Sequence, residues 1–217
     1  MNFRTPAALF ATAALALGAT ACGDDEETTG GGGDAAAEPV AQVDNLTGVD
    51  TAVTLDPGFV QALTDLKVTP GPVGDAEISA DGVASFPITG GNVKYFTPGT
   101  VSPFVQGIIN HDGSGLSLEA GGKKVELENF DVDPGASILT GDVSVDGEEA
   151  AADAPLFFLD GRTLNPLQAN DDGTAVLEGT TVVLTQTAAD LLNQTFGIDA
   201  LTNEVVIGTA AITINTQ

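Results

Sequence analysis

Between Phe104 and Phe130 the chain reads FVQGIINHDGSGLSLEAGGKKVELENF, and this stretch limits the fold most strongly. Its apolar runs are too short for helices and are broken by glycine-rich segments. Val105 to Asn110, Leu116 to Glu119 and Lys123 to Phe130 read as strands, joined by His-Asp-Gly-Ser-Gly and Ala-Gly-Gly turns tight enough to make them antiparallel neighbours. The spacing predicts a β-meander. His111, the only histidine, is expected at a strand-to-turn junction from which its side chain can leave the core.

The same punctuation runs through the rest of the chain. Further strands are expected at Thr51 to Leu55, Ala76 to Ile78, Ala84 to Ile88, Ser137 to Val145, Leu156 to Leu159, Ala175 to Leu177, Thr181 to Thr185, Glu204 to Ile207 and Ala210 to Ile214, with Asp146 to Asp153 as an acidic loop. With 27 glycines and 11 prolines among 217 residues, such short runs point to an all-β domain, mainly an antiparallel β-sandwich or meander, over residues 51–217. A chain of that length buries about 70% of its unfolded surface, enough for one core without metals or disulfides.

Two short amphipathic helices interrupt the strands and are expected to pack on the sheet. Asp56 as N-cap and Pro57 at the first position open one, with Phe59, Val60, Leu63 and Leu66 on one face and an end near Lys67. The other is predicted to start at Thr187 as cap, with Ala188, Leu191, Leu192 and Phe196 as its buried stripe and Gly197 as its stop. Three turns are too few to be stable alone. A strand precedes each helix and strands follow, a faint internal echo suggesting two units facing one core.

The N-terminal residues carry one positive charge, Arg4, and then an uncharged Ala/Leu-rich run, the pattern of a secretory signal peptide over residues 1–21. Gly18-Ala19-Thr20-Ala21-Cys22 resembles the bacterial lipobox, which implies cleavage before Cys22 and lipidation of its sulfur, anchoring the chain to the outer face of a membrane. Ordinary cleavage leaving a free thiol is the alternative. Cys22 is the only cysteine, so the exported domain contains no internal disulfide. Residues 22–50 then hold eight acidic and no basic side chains and read as a disordered tether.

The formal net charge is −25, and 23 acidic against 5 basic residues leave residues 51–217 at −18. Such a surface repels phosphate backbones, which argues against nucleic acid as a partner. Calcium has carboxylate candidates at Asp131 and Asp133, Glu148, Glu149 and Asp153, and Asp171 and Asp172, but no segment has EF-hand spacing. A triad would have to draw on His111, Asp112 and Ser114, neighbours that a turn sends in different directions. The chain reads as a non-enzyme.

Phe86-Pro87-Ile88-Thr89-Gly90-Gly91, Gly107 to Gly113, Leu116-Ser117-Leu118 and Val125 to Phe130, with Thr181 to Leu184, Ala188 to Phe196 and Ile207 to Ala210, resemble the HtaA-type domain of actinobacterial surface proteins. That resemblance implies haem binding at the cell surface through a tyrosine near the domain start, supported by a histidine. Thr51 to Lys94 contains no tyrosine, so the usual position is empty. The replacement ligand set that the resemblance implies is the chain's single tyrosine, Tyr95, with His111 and Phe96, haem or a haem-carrying protein being the partner, since phenolate and imidazole both ligate haem iron; a tyrosine packed on the sheet and a histidine in a wet turn are the alternative. Two uses stay open on these residues: a non-catalytic binder of haem or another small ligand, and a structural or adhesive surface module.

Overall fold

A computed structural model describes residues 37–216; the signal peptide, Cys22 and the first part of the tether lie outside the described residues. The strands are β1 (Ala41–Val43), β2 (Val49–Leu55), β3 (Thr69–Gly74), β4 (Glu77–Ile78), β5 (Val83–Pro87), β6 (Gly90–Tyr95), β7 (Val105–Ala120), β8 (Lys123–Asp133), β9 (Ile138–Val145), β10 (Glu148–Asp160), β11 (Gln168–Ala169), β12 (Thr174–Leu184) and β13 (Val206–Asn215). Two helices, α1 (Pro57–Leu66) and α2 (Gln186–Phe196), complete the domain. All 13 strands join one sheet in the order β1-β6-β7-β8-β9-β10-β12-β13-β2-β5-β4, with β3 on β7 and β11 on β12. The fold is all-β with two short helices, its antiparallel sheet curled into a half-barrel.

The central strands are longer than the glycine punctuation suggests. His-Asp-Gly-Ser-Gly is no turn. It is a bulge inside the 16-residue β7, between His111 opposite Phe130 and Gly115 opposite Glu128. Matching register shifts fall between Glu128 and Asp131 against β9, and between Ala151 and Ala154 on β10, so one seam crosses four strands. Bulges bend strands and increase their twist, which lets a wide sheet close on itself. The seam's unpaired backbone groups are met by side chains. Gly113 N donates to Asn129 Oδ1 at 2.9 Å, Asn129 Nδ2 to Asp142 Oδ2 at 2.9 Å, and Asp153 N to Asp142 Oδ1 at 3.2 Å. Gly115 is required there because a Cβ would lie 2.0 Å from the Leu127 carbonyl oxygen.

Other segments expected as separate pieces are likewise continuous. Ala175 to Leu177 and Thr181 to Leu184 are halves of β12, which shifts register between Glu178 and Thr180, while Thr185 falls just beyond its end. The two strands expected at Glu204 to Ile207 and Ala210 to Ile214 are one, β13, which begins only at Val206. Asp146 to Asp153 is not a loop: Asp146 and Gly147 make a two-residue turn, and Glu148 already belongs to β10. β1, β3 and β6 carry no strong strand pattern, β3 being the edge segment Thr-Pro-Gly-Pro-Val-Gly.

Residues before position 51 also belong to the sheet. β1 pairs with β6, Val40 N donates to the Tyr95 carbonyl at 2.7 Å, and Leu46 is buried. The acidic composition hid them, because one buried leucine and three strand residues are enough to dock a short edge segment.

α1 follows the predicted design. Asp56 Oδ1 accepts from Gly58 N and Phe59 N, and Lys67 closes the helix in the left-handed region at φ 57°. α2 is capped two residues earlier than expected, by Thr185, whose Oγ1 accepts from Ala188 N at 3.1 Å and donates to the Pro155 carbonyl at 2.6 Å. That second bond ties the cap to β10, an anchor that Thr187 would not have. Both helices lie at one end of the curl, where Leu63 and Leu192 are buried, each worth about 1.5–3 kcal/mol. The echoed units are not equivalent: β3, after α1, pairs with β7, whereas β13, after α2, returns to β12.

Candidate ligand-binding site

Beyond the helix-covered end the inside of the curl is not filled. A cavity of about 710 Å³ runs between the walls, lined mainly by inward-facing apolar residues such as Val53, Ile109, Val132, Leu139, Val182 and Ile212. Period-two alternation supplies these side chains, each strand sending every second residue inward. Leu55, Leu116, Phe157 and Ile207 separate it from a residual space of about 50 Å³ under the helices, and so mark its inner end. At the other end its lining includes exposed residues, among them Gln42, Pro103, Phe158 and Arg162, which form the mouth. Three phenylalanines run edge to face along the wall, Phe86 to Phe130 at 5.3 Å and Phe130 to Phe157 at 6.4 Å.

His111 lies in this wall and not in a wet turn, being 1% exposed. Because the bulge keeps β7 continuous, the imidazole points inward. Its Nδ1 is 3.0 Å from the Phe130 carbonyl oxygen and its Nε2 is 2.8 Å from Thr51 Oγ1. A carbonyl only accepts, so Nδ1 carries the proton and Nε2 receives the Thr51 hydroxyl. Burial pushes the His111 pKa below its ordinary value, outweighing the Phe130 carbonyl and the carboxylates of Asp131, Asp112 and Asp50, which favour the cation. Burial thus favours the uncharged ring.

This hydrogen bond also closes the curl. β2 and β7 are not paired strands, yet His111 joins them, and next to it Thr89 N donates to the Asn110 carbonyl while Asp112 N donates to Thr89 Oγ1, both at 2.9 Å. Ser114 Oγ donates to the His111 backbone carbonyl at 3.1 Å, not to the ring. Ser114 and His111 therefore do not form a nucleophile–base pair.

Tyr95 and His111 face the same cavity but not the same spot. Tyr95 pairs with Val105, six residues before His111 on β7, which at about 3.3 Å per residue places them roughly 20 Å apart along the strand. Tyr95 stands at the mouth, edge-on to Phe104 at 5.9 Å. Phe96 is buried but does not line the cavity, since consecutive residues of an extended chain face opposite sides. The three residues therefore do not converge on one atom, and Phe96 leaves the ligand set.

Sequence reasoning missed two groups. Thr51 is an ordinary β-strand threonine until the fold brings His111 to it. At the mouth, the exposed Arg162 grips Asp160 with Nε at 2.9 Å and Nη2 at 2.7 Å, holding that carboxyl at about 2. Three of the acidic candidates have structural duties: Asp131 accepts from Asn110 Nδ2, Asp133 from Ala136 N and Asp172 from Thr174 N. Among the described residues no group of three or more histidine, cysteine or acidic side chains converges to hold a metal ion.

The fold decides the comparison with solved structures. The C-terminal domain of HtaA from Corynebacterium glutamicum matches with a TM-score of 0.54 at 15% identity, covering 80% of this chain and 98% of that one. The domain has the HtaA-type fold. The haem-binding protein HtaB of the same organism aligns at 10% identity and TM-score 0.49, over 82% of this chain and 96% of its own. A domain-swapped dimer of a variant of the HtaA C-terminal domain aligns at 15% identity and TM-score 0.46, over 74% and 91%. No protein-family model matches the chain, and no curated protein does. At this identity the likeness extends to the fold alone.

Proposed function

We propose that this HtaA-type domain is a non-catalytic binding module that holds an apolar small molecule inside its curled sheet, on a lipoprotein exported and anchored through Cys22. The observation that carries the reading is the unfilled apolar cavity of about 710 Å³ with few polar groups on its wall, within the 300–1,000 Å³ typical of small-molecule sites. A surface module with only a structural or adhesive task has no need of such a space, because protein interiors otherwise pack as densely as organic crystals. A hydrolase is disfavoured because the Ser114 hydroxyl donates to a backbone carbonyl instead of to His111, and because His111 Nδ1 meets the Phe130 carbonyl where a triad places a carboxylate.

Haem is the ligand that the family resemblance names. On this wall the phenol of Tyr95 is the oxygen donor for its iron, while His111, committed to Thr51 and distant along β7, shapes the cavity and does not support the ligand directly. Haemin titrated into the purified chain should give a saturable absorbance change at one equivalent. Tyr95→Phe, which keeps the ring and removes the oxygen, should weaken binding tenfold or more, a loss of about 1.4 kcal/mol or greater. Saturable binding unaffected by Tyr95→Phe would remove the ligand assignment, and no saturable binding would remove haem.

A further inference from the structure

Thr51 and His111, 6% and 1% exposed, put a polar point in a wall that is otherwise largely apolar, well behind the mouth. Their hydrogen bonds fix what that point can offer. His111 Nδ1–H is used by the Phe130 carbonyl, leaving Nε2 as a lone pair, and the single hydroxyl proton of Thr51 goes to that lone pair. The Thr51 oxygen then has no proton left for a ligand but retains acceptor capacity. Turning the hydroxyl toward a ligand would strand a buried imidazole nitrogen, at a cost comparable to the hydrogen bond gained.

The surroundings set the charge of what can bind here. Asp50, Asp112 and Asp131 stand close enough to act on His111, and Arg162, the cation among the cavity-lining residues, is at the mouth and held by Asp160. A carboxylate placed against the Thr51 oxygen would meet lone pairs in a negative field with no donor to satisfy it. An ether or ester oxygen would meet the same lone pairs. A neutral hydroxyl can donate.

We infer that the Thr51 oxygen, oriented by His111, accepts a hydrogen bond from the neutral hydroxyl of an otherwise apolar ligand, so that the cavity selects hydrophobic alcohols over the corresponding ethers and carboxylates. This rests on the cavity-binding part of the proposed function and not on haem. His111 is a positioning residue in this scheme: it takes the proton of Thr51 and so decides which way the hydroxyl faces.

The test is competition against N-phenyl-1-naphthylamine, a neutral apolar fluorophore, on the purified full chain, with 1-dodecanol, its methyl ether and dodecanoate as competitors. The alcohol should displace the fluorophore about tenfold better than the ether, as one buried hydrogen bond allows, and by a larger factor than dodecanoate. Thr51→Val, whose second methyl takes the place of the hydroxyl and covers His111 Nε2, should make alcohol and ether equal competitors, while Thr51→Ser should keep the preference. Saturable fluorophore binding with alcohol and ether equal in the native chain would overturn the inference and leave the cavity reading intact. A preference that survives Thr51→Val would do the same. If the fluorophore itself shows no saturable binding, the cavity reading fails, and this inference with it.

Discussion

The two ends of the curled sheet are built from similar apolar side chains and come to opposite results. Under α1 and α2 the residues Leu63, Leu66, Leu192 and Phe196 fill the space between the walls to within about 50 Å³. Toward the mouth, walls of the same valines, isoleucines and leucines leave about 710 Å³. The helix-covered end behaves as an ordinary core, where dense packing supplies stability. The open end forgoes that packing, and forgone contacts are a standing cost unless something else makes them. Stability and binding are thus divided along one sheet, with the Thr51–His111 bond between them.

Truncation should separate the ends most clearly. Leu192→Ala, in the filled end, should cost about 2–5 kcal/mol in urea unfolding, and Ile212→Ala, on the cavity wall, about 1 kcal/mol because part of its surface already faces empty space. Equal losses would mean that the walls of the cavity close up in solution. Enlargement should give the reverse ordering. Ala189→Leu, fully buried in α2, should destabilise by about 1–3 kcal/mol, whereas Ala210→Leu, which points into the cavity, should be neutral or stabilising.

Acid should act through the bond between the two regions. Burial lowers the folded-state pKa of His111, so below its unfolded value of about 6.5 the unfolded chain binds more protons there than the folded one. Its contribution is therefore fully present above that pH and is lost as the pH falls, at up to about 1.4 kcal/mol per pH unit. Denaturation curves between pH 7 and pH 5 should show this slope, and His111→Gln should remove it; an identical slope in the variant would assign the acid sensitivity to carboxylates instead. The smallest effect is local to the filled end. Thr185→Ala removes the α2 cap and its bond to Pro155 and should cost about 1 kcal/mol without altering ligand binding.

The fold class and both helices were legible because caps, one-face spacing and short apolar runs act locally. The continuity of the long strands was not. Gly113 and Gly115 look the same in a turn as in a bulge, and only the pairing of β7 with β8, together with Asn129, Asp142 and Asp153 along the seam, decides for the bulge. That misreading moved His111 from core to solvent in the sequence-based expectation. Tyr95 and His111, singled out as the only residues of their kinds, both line the cavity. Their separation along β7, the absence of Phe96 from the lining and the role of Thr51 depend on long-range register, which no local pattern encodes. Lipidation of Cys22 rests on its sequence motif, and Cys22→Ser should abolish partition of the protein into detergent with membranes.

Whether the open end of the curl is a ligand site is decided by titrating the native chain and Ala210→Phe with N-phenyl-1-naphthylamine and following fluorescence. The native chain should bind about one equivalent saturably with a blue-shifted emission, and Ala210→Phe should lose most of that binding while keeping the native circular dichroism spectrum. No saturable binding by the native chain, or equal binding by a folded Ala210→Phe variant, would contradict the account.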